Sequence, residues 1–382
     1  MSDDVAVVGL GIHPFGRHPG VSGLDMAAHA ARAALKDAGL GWDEIDFAAG
    51  GSDAAGNADT TVSVLGLTGV PFINVKNGCA TGGSALITAH AMLSSGSAEV
   101  ALVVGFDKHP PGAFDARPED WGIGSWYGET GLMLTTQFFA MKIQRYMGEH
   151  GISEKTLAQV AVKAFENGSR NPNAWRRQAL SEEDVLASKL VNDPLRQYMF
   201  CSPGEGAVAL VLARGARVKE LSSKPVYLRS AAFRTRRFGS FEVFSPSIPI
   251  ETGPSPTAEA AAAAFEQAGL GPDDVDVAQL QDTESGAEVM HLAETGLCEH
   301  GEQEALIQSG ATRRDGRLPV NTDGGCLANG EPVGASGLRQ VYEIVSQLRG
   351  EAGDRQVPGK PRVGFTHVYG APGVSACTVL SR

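Results

Sequence analysis

The chain has 382 residues, too many for one small core, so two core regions or one large double domain are expected. Its 44 acidic against 32 basic side chains give a net charge of -12, which argues against a nucleic-acid surface as the main business. No apolar run reaches the roughly 18 residues of a membrane span, and no pair of cysteines has the CxxC spacing of a zinc site.

The five cysteines, Cys79, Cys201, Cys298, Cys326 and Cys377, are odd in number and scattered, which suits a reducing, cytoplasmic setting better than a disulfide scaffold. The opening Met1-Ser2-Asp3-Asp4 carries no cationic segment of a secretory leader. Residues 4–9 form an apolar run ending in Gly9 and read as a buried strand. Gly9-Leu10-Gly11 begins like a dinucleotide loop, but Pro14 holds the place of the third glycine. Residues 24–38 then read as an Ala-rich helix stopped by Gly39.

The phrase Ala38-Gly39-Leu40-Gly41-Trp42-Asp43-Glu44-Ile45-Asp46-Phe47 recurs as Ala268-Gly269-Leu270-Gly271-Pro272-Asp273-Asp274-Val275-Asp276-Val277. Each copy reads helix, glycine stop, acidic turn, strand. The register of all four parts suggests a duplicated domain. Strands alternate with helices in each half, which implies mostly parallel sheets covered by helices, an α/β fold. We place the first half at residues 1–225 and the second at 226–382. Residues 109–200 are too long for a plain connection and are expected to form a lid or binding insertion.

One stretch carries chemistry. Residues 72–74 read as a short buried strand, Asn77-Gly78 as a tight turn, and residues 81–93 as a small-residue helix. Cys79 sits where the turn becomes the helix. A thiol at a helix N-terminus is biased toward thiolate, the form that attacks carbonyls. A buried structural cysteine is the plain alternative.

The run Asn77-Gly78-Cys79-Ala80-Thr81-Gly82-Gly83-Ser84-Ala85-Leu86 resembles the nucleophilic-cysteine motif of thiolases, most closely the sterol-carrier-protein type that bacteria carry as lipid-transfer proteins. The likeness extends over nearly the whole chain. Cys201-Ser202-Pro203-Gly204-Glu205-Gly206 is similar to the family's end-of-lid segment, with Glu205 where Asp is usual. Leu318-Pro319-Val320-Asn321-Thr322-Asp323-Gly324-Gly325 and Gly330-Glu331-Pro332-Val333-Gly334-Ala335-Ser336-Gly337 fit as well. The resemblance implies a duplicated, five-layered αβαβα fold with a lid. It also implies a CoA ester as substrate rather than a tightly bound cofactor, and a homodimer. Gly334, Ser336 and Gly370 would lie along the CoA ester. Arg176 and Arg177 could hold a CoA phosphate, although a solvated helix face explains them equally well.

The sequence departs from that pattern at two histidines. The family's Gly-His-Pro is Gly330-Glu331-Pro332 here, and its His-Asp-x-Phe is Gln281-Asp282-Thr283-Glu284. The family's second acid–base cysteine falls on or near His367, with Tyr369 two residues later. Imidazole can take a thiol proton near neutral pH and can donate to an enolate oxygen; an ionised carboxylate cannot donate. Glu331 could act as a base, or as a donor if protonated, with Glu284 able to raise its pKa. Backbone N–H groups at Cys79 and around Gly370 could form an oxyanion hole. The candidate catalytic set is Cys79, Glu331, His367, Tyr369, Gln281 and Glu284. Three activities follow: a thiolase-like acyltransferase using Cys79; a retro-aldolase on a branched or steroid side-chain β-hydroxyacyl-CoA, working with a small zinc-ribbon/OB-fold partner; or a CoA-ester-binding protein without turnover. Related lipid-transfer-type proteins make Tyr369 and Tyr127 the acid–base candidates in the second case.

Overall fold

The computed structural model describes residues 4–245 and 253–382. The first three residues, read above as lacking a cationic segment, lie outside that range. The strands are β1 (Val5–Gly16), β2 (Phe47–Gly51), β3 (Phe72–Asn74), β4 (Val100–Lys108), β5 (Leu190–Asn192), β6 (Leu195–Arg196), β7 (Glu205–Arg214), β8 (Val226–Thr235), β9 (Val277–Leu280), β10 (Val363–Gly370) and β11 (Val374–Ser381). β5 and β6 form a small ribbon. The other nine form one sheet in the order β3-β2-β4-β7-β1-β8-β11-β10-β9.

The duplication is visible in that order. The first half reads β2-β4-β7-β1 and the second β9-β10-β11-β8, and the two meet where Ala6 and Val7 of β1 pair with Tyr227 and Val226 of β8. The repeated phrase folds identically in both copies. Helices Gly23–Ala38 and Pro256–Ala268 end on Gly39 and Gly269 in the left-handed conformation, at φ 69° and 63°. Each stop leads into a short acidic 3-10 turn, Trp42–Glu44 or Pro272–Asp274. Asp46 Oδ2 then accepts from Val100 N, and Asp276 Oδ2 from Val363 N, each at 3.0 Å. Even the edge is repeated: Ala48 of β2 pairs with Phe72, and Ala278 of β9 pairs with Val320.

β4 and β7 are buried almost end to end, because helices cover both faces. Gly23–Ala38 covers the outer face of the first half, and Pro256–Ala268 that of the second. Between the halves run two central helices, Thr81–Ser94 and Val333–Arg349, which share one apolar core with strands of both. This is the αβαβα layering expected from the sequence. The central helices pass at backbone distance. A Cβ on Gly337 would stand 2.7 Å from Gly83 N, and β4 meets the second helix as closely, since a Cβ on Gly105 would stand 2.1 Å from Gly334 O. Only glycine allows that approach.

Two expectations change. β3 is an edge strand rather than a buried one, with Ile73 44% exposed. The 109–200 insertion is only partly a cover. Helices Thr135–His150 and Glu154–Arg170 send Ile143, Leu157, Val160 and Ala164 into the core of the second half. Residues 112–116, 121, 135, 136, 139, 191, 197 and 200 of it border the cavity described next.

Candidate functional site

A cavity of about 330 Å³ opens where the two halves meet the insertion. Gly78, Cys79 and Ala371 form one wall, and Cys201, Ser202 and Pro203 another. Phe114, Trp121, Phe139, Phe200, Val243, Phe244 and Tyr369 make the rest largely apolar, and Asp53 and Asp115 are its charged lining residues. No lysine or arginine lines it among the described residues.

Cys79 reaches this wall because the backbone turns sharply after β3. Asn77 N donates to Thr81 Oγ1 at 2.9 Å and Asn77 Nδ2 to Ser84 Oγ at 2.9 Å, which ties the turn onto the central helix. That helix starts at Thr81 with Ala80 as its cap, so the thiol stands just before the first turn. Gly370 packs against this turn so closely that a Cβ on it would lie 2.3 Å from Asn77 O and 2.6 Å from Ala80 N. Its role is steric.

The thiol is not primed as a thiolate. Burial pushes its pKa well up, and the neighbouring Glu331 carboxylate raises it further; Cys201 and Asp53 add smaller repulsions. Desolvation and a like charge outweigh the helix end, which is worth only about 0.3–1 kcal/mol. This reverses the thiolate expectation drawn from the sequence.

Glu331 is fully buried behind Cys79 and is not itself part of the cavity wall. Its backbone is fixed by Glu331 N to Ser202 O at 2.9 Å and by Gly204 N to Glu331 O at 3.2 Å. Its Oε2 accepts from Gln281 Nε2 at 3.1 Å, while Oε1 has no partner in full hydrogen-bond geometry. Burial raises its pKa; the nearby Cys326 thiol, Ser336 hydroxyl and Cys79 thiol pull it partly back. Gln281 is held in turn by Gln340 at 3.4 Å. Cys79, Glu331, Gln281 and Ser336 therefore form one cluster, as the motif positions suggest, and Cys326 joins it.

The other candidates are dispersed. His367 lies on β10 with its ring on the face away from the central helices. Its Nε2 faces Thr257 Oγ1 at 3.1 Å and Ser375 Oγ at 3.4 Å, and the ring stacks edge-on to His291 at 4.4 Å. Val368, one residue on, faces Gly83 on the central helix, so strand alternation turns His367 the other way. Burial and the adjacent His291 and Lys142 push its pKa well down, so the ring is neutral. Glu284 caps the Ser285–Glu294 helix, accepting from Gly286 N. Burial lifts its pKa to about 8. Gly334 donates its N–H to Asp107 at 2.7 Å and serves helix–sheet packing. Arg176 donates to Leu327 O at 2.8 Å and to the Ser202 hydroxyl, so two of its five N–H groups hold the cavity wall. Arg177 is exposed.

Tyr369 sits at the end of β10 and does reach the cavity. Its hydroxyl donates to Glu242 Oε2 at 2.6 Å. Tyr127 packs in the same apolar cluster of insertion residues without lining the cavity.

Three further residues escaped the sequence reading. Asp107 closes β4 and binds Ser52 Oγ, Asp53 N, Ala54 N and Gly334 N at 2.7–3.1 Å, fixing the loop beside the cavity to the second central helix. An acid ending the apolar run 100–106 was the available signal. Asp282 accepts from Cys326 N at 2.6 Å, and burial lifts its pKa to about 8. Glu242, between Phe241 and Val243, gave no signal beyond an acid in an aromatic run.

Family models match both halves: "Thiolase, N-terminal domain" over residues 5–208 and "Thiolase C-terminal domain-like" over residues 250–382. An acetyl-CoA acetyltransferase of Methanothermobacter thermautotrophicus is 34% identical, covering 99% of this chain and 100% of that protein. Human sterol carrier protein 2 is 33% identical over 98% of this chain and 71% of its own length. Among solved structures, a complex titled "Ltp2-ChsH2(DUF35) aldolase" superposes with a TM-score of 0.89 at 25% identity, covering 100% of this chain and 98% of that one.

Proposed function

This chain belongs to the thiolase superfamily, in its sterol-carrier-protein-type branch, and from that premise we propose that it cleaves a C–C bond beside a CoA thioester by a retro-aldol route. The carrying observation is Glu331 where the family's histidine is expected, beside a thiol that burial and this acid together keep protonated. An acyl-cysteine route needs a base that makes thiolate at neutral pH. A carboxylate placed so works against it.

The retro-aldol route needs a base for a β-hydroxyl and an acid for the enolate carbon that cleavage leaves behind. Tyr369 lines the cavity, and its phenol suits the first role. Cys79 suits the second because its thiol stays protonated, with Glu331 behind it as the group that returns the proton. The lining favours a bulky apolar acyl group, since no basic side chain is present to balance a second carboxylate. The aldolase complex adds support for the reaction class and for a small DUF35-type partner. We extend both to this chain as part of the proposal, along with a homodimeric state. A steroid side chain is one substrate that meets the size and polarity.

The second reading is a thiolase-like acyltransferase, favoured by Cys79 lining the cavity in an intact motif. Incubation with branched β-hydroxyacyl-CoA esters, with and without a co-expressed DUF35-type protein and with no free CoA, separates the two. The aldol reading expects a ketone or aldehyde plus a shortened acyl-CoA. Cleavage that starts only when free CoA is added would contradict it.

A further inference from the structure

Tyr369 has a partner that lies outside the lining of the Cys79 cavity. Its hydroxyl donates to Glu242 Oε2 at 2.6 Å, and Glu242 is buried between β10 and the insertion. The fit is close: a Cβ on Gly373 would stand 2.8 Å from Glu242 Cγ, so the β10–β11 turn leaves room for this carboxylate only by having glycine there. The Lys142 ammonium, from helix Thr135–His150, lies 5.9 Å from the centre of the Tyr369 ring. Glu242 and Lys142 also line a second cavity, together with Glu294 and His300. Tyr369 thus stands in the first cavity and hands its hydroxyl hydrogen to a residue of the second.

We propose that Glu242 is the positioning residue and proton acceptor for Tyr369, with Lys142 as its counter-charge, so that the phenol relays a proton from substrate to a buried carboxylate. The proposal rests on the retro-aldol reading above and adds the group that makes a phenol usable as a base. In the step, the substrate β-hydroxyl gives its proton to Tyr369 Oη while the Tyr369 proton moves to Glu242 Oε2. The Cα–Cβ electron pair becomes the thioester enolate, and the β-carbon leaves as a carbonyl. Glu242 ends as a neutral acid, Tyr369 is unchanged, and charge passes from carboxylate to enolate. No oxidant or second substrate is required.

The surroundings suit that exchange. Burial raises the Glu242 pKa, and Lys142 and the Tyr369 hydroxyl draw it partly back, which leaves a carboxylate of useful basicity. Burial alone would discharge Lys142, but Glu242, Glu294 and Glu284 hold it charged. Burial and the Glu242 carboxylate push the Tyr369 phenol well up, so it keeps its own proton until one arrives from the substrate. The other charged or titratable groups around the pair are Arg236 beyond β8, His291 and Glu294 on helix Ser285–Glu294, Glu284 before it, His367 on β10, and Arg145, Tyr146, Glu149, His150 and His300 around the second cavity.

The test combines turnover with a titration that does not need it. In the CoA-free cleavage assay, E242Q is expected to lose at least 100-fold in kcat with KM within about twofold. The acidic limb of the wild-type pH profile is expected to vanish in E242Q and to return in E242D. In parallel, 3-fluorotyrosine placed at position 369 is titrated by fluorine NMR in both backgrounds, and its ionisation is expected at least one pH unit lower in E242Q. Identical titrations overturn the pairing whatever the activity. Wild-type kcat with the same acidic limb in E242Q overturns the relay. A shifted titration in a protein that cleaves no β-hydroxyacyl-CoA overturns the retro-aldol reading, and the relay with it, while leaving the pairing in place.

Discussion

Replacing Glu331 by histidine should convert a protonated thiol into a reactive one. Two unit charges about 4 Å apart in an effective dielectric near 20 interact by about 4 kcal/mol, equivalent to about 3 pKa units. Part of that is unrealised here because burial holds Glu331 itself toward the neutral form, so the two groups titrate as a pair. A free thiol near 8.5 is about one-tenth thiolate at pH 7.5, and each unit of upward shift costs a further tenfold. E331Q removes the charge and should raise the alkylation rate of Cys79 by about tenfold. E331H adds a cation partner of the kind that draws thiols down to about 3.5–7.5, and should raise it by about 100-fold. The backbone of residue 331 is pinned by Ser202 and Gly204, so the new ring starts from the same Cα. The assay is iodoacetamide labelling at pH 6–9, resolved by peptide mapping because Cys201 and Cys326 are neighbours. Equal rates at Cys79 in wild type, E331Q and E331H would refute the claim that Glu331 holds the thiol down.

Three further predictions concern stability and the site. Arg339 is buried in the second central helix against Asp323, and R339L should cost about 3–5 kcal/mol in chemical denaturation by stranding that carboxylate. Asp282 and Glu284 titrate near 8 when folded against about 4 unfolded, so the folded state binds the extra protons. Their contribution is complete below about pH 4 and is lost as pH rises through about 8; resistance to thermal unfolding should therefore weaken from pH 6 to 8.5, and E284Q should flatten that slope. Y369F removes the proposed base and should lower CoA-free cleavage at least 100-fold, while the lost bond to buried Glu242 costs only about 1–3 kcal/mol of stability.

The duplicated frame was legible because its signals are local. A glycine stop, an acidic turn and an apolar strand each fix their own few residues, and they recur 230 positions apart. Cys79, Glu331 and Gln281 were legible as a cluster because each occupies a motif place. What failed was whatever depended on which way a side chain turns or what else it binds. His367 and Val368 alternate across β10, and nothing in the run 366–370 says which of them faces Cys79. Arg176 read as a residue of a solvated helix face, yet two of its N–H groups hold a carbonyl and a hydroxyl of segments 151 and 26 residues away in sequence. The helix-end argument for a thiolate at Cys79 was sound in kind but small beside burial and Glu331. The Tyr369–Glu242 pair spans 127 residues and has no sequence signature.

The most direct test is intact-mass analysis of the wild-type protein during turnover of a branched β-hydroxyacyl-CoA without free CoA, with product analysis from the same sample. The account predicts a carbonyl product and a shortened acyl-CoA in equal amounts, with Cys79 never carrying an acyl group. An acyl adduct on Cys79 that forms and decays at the rate of turnover would contradict it.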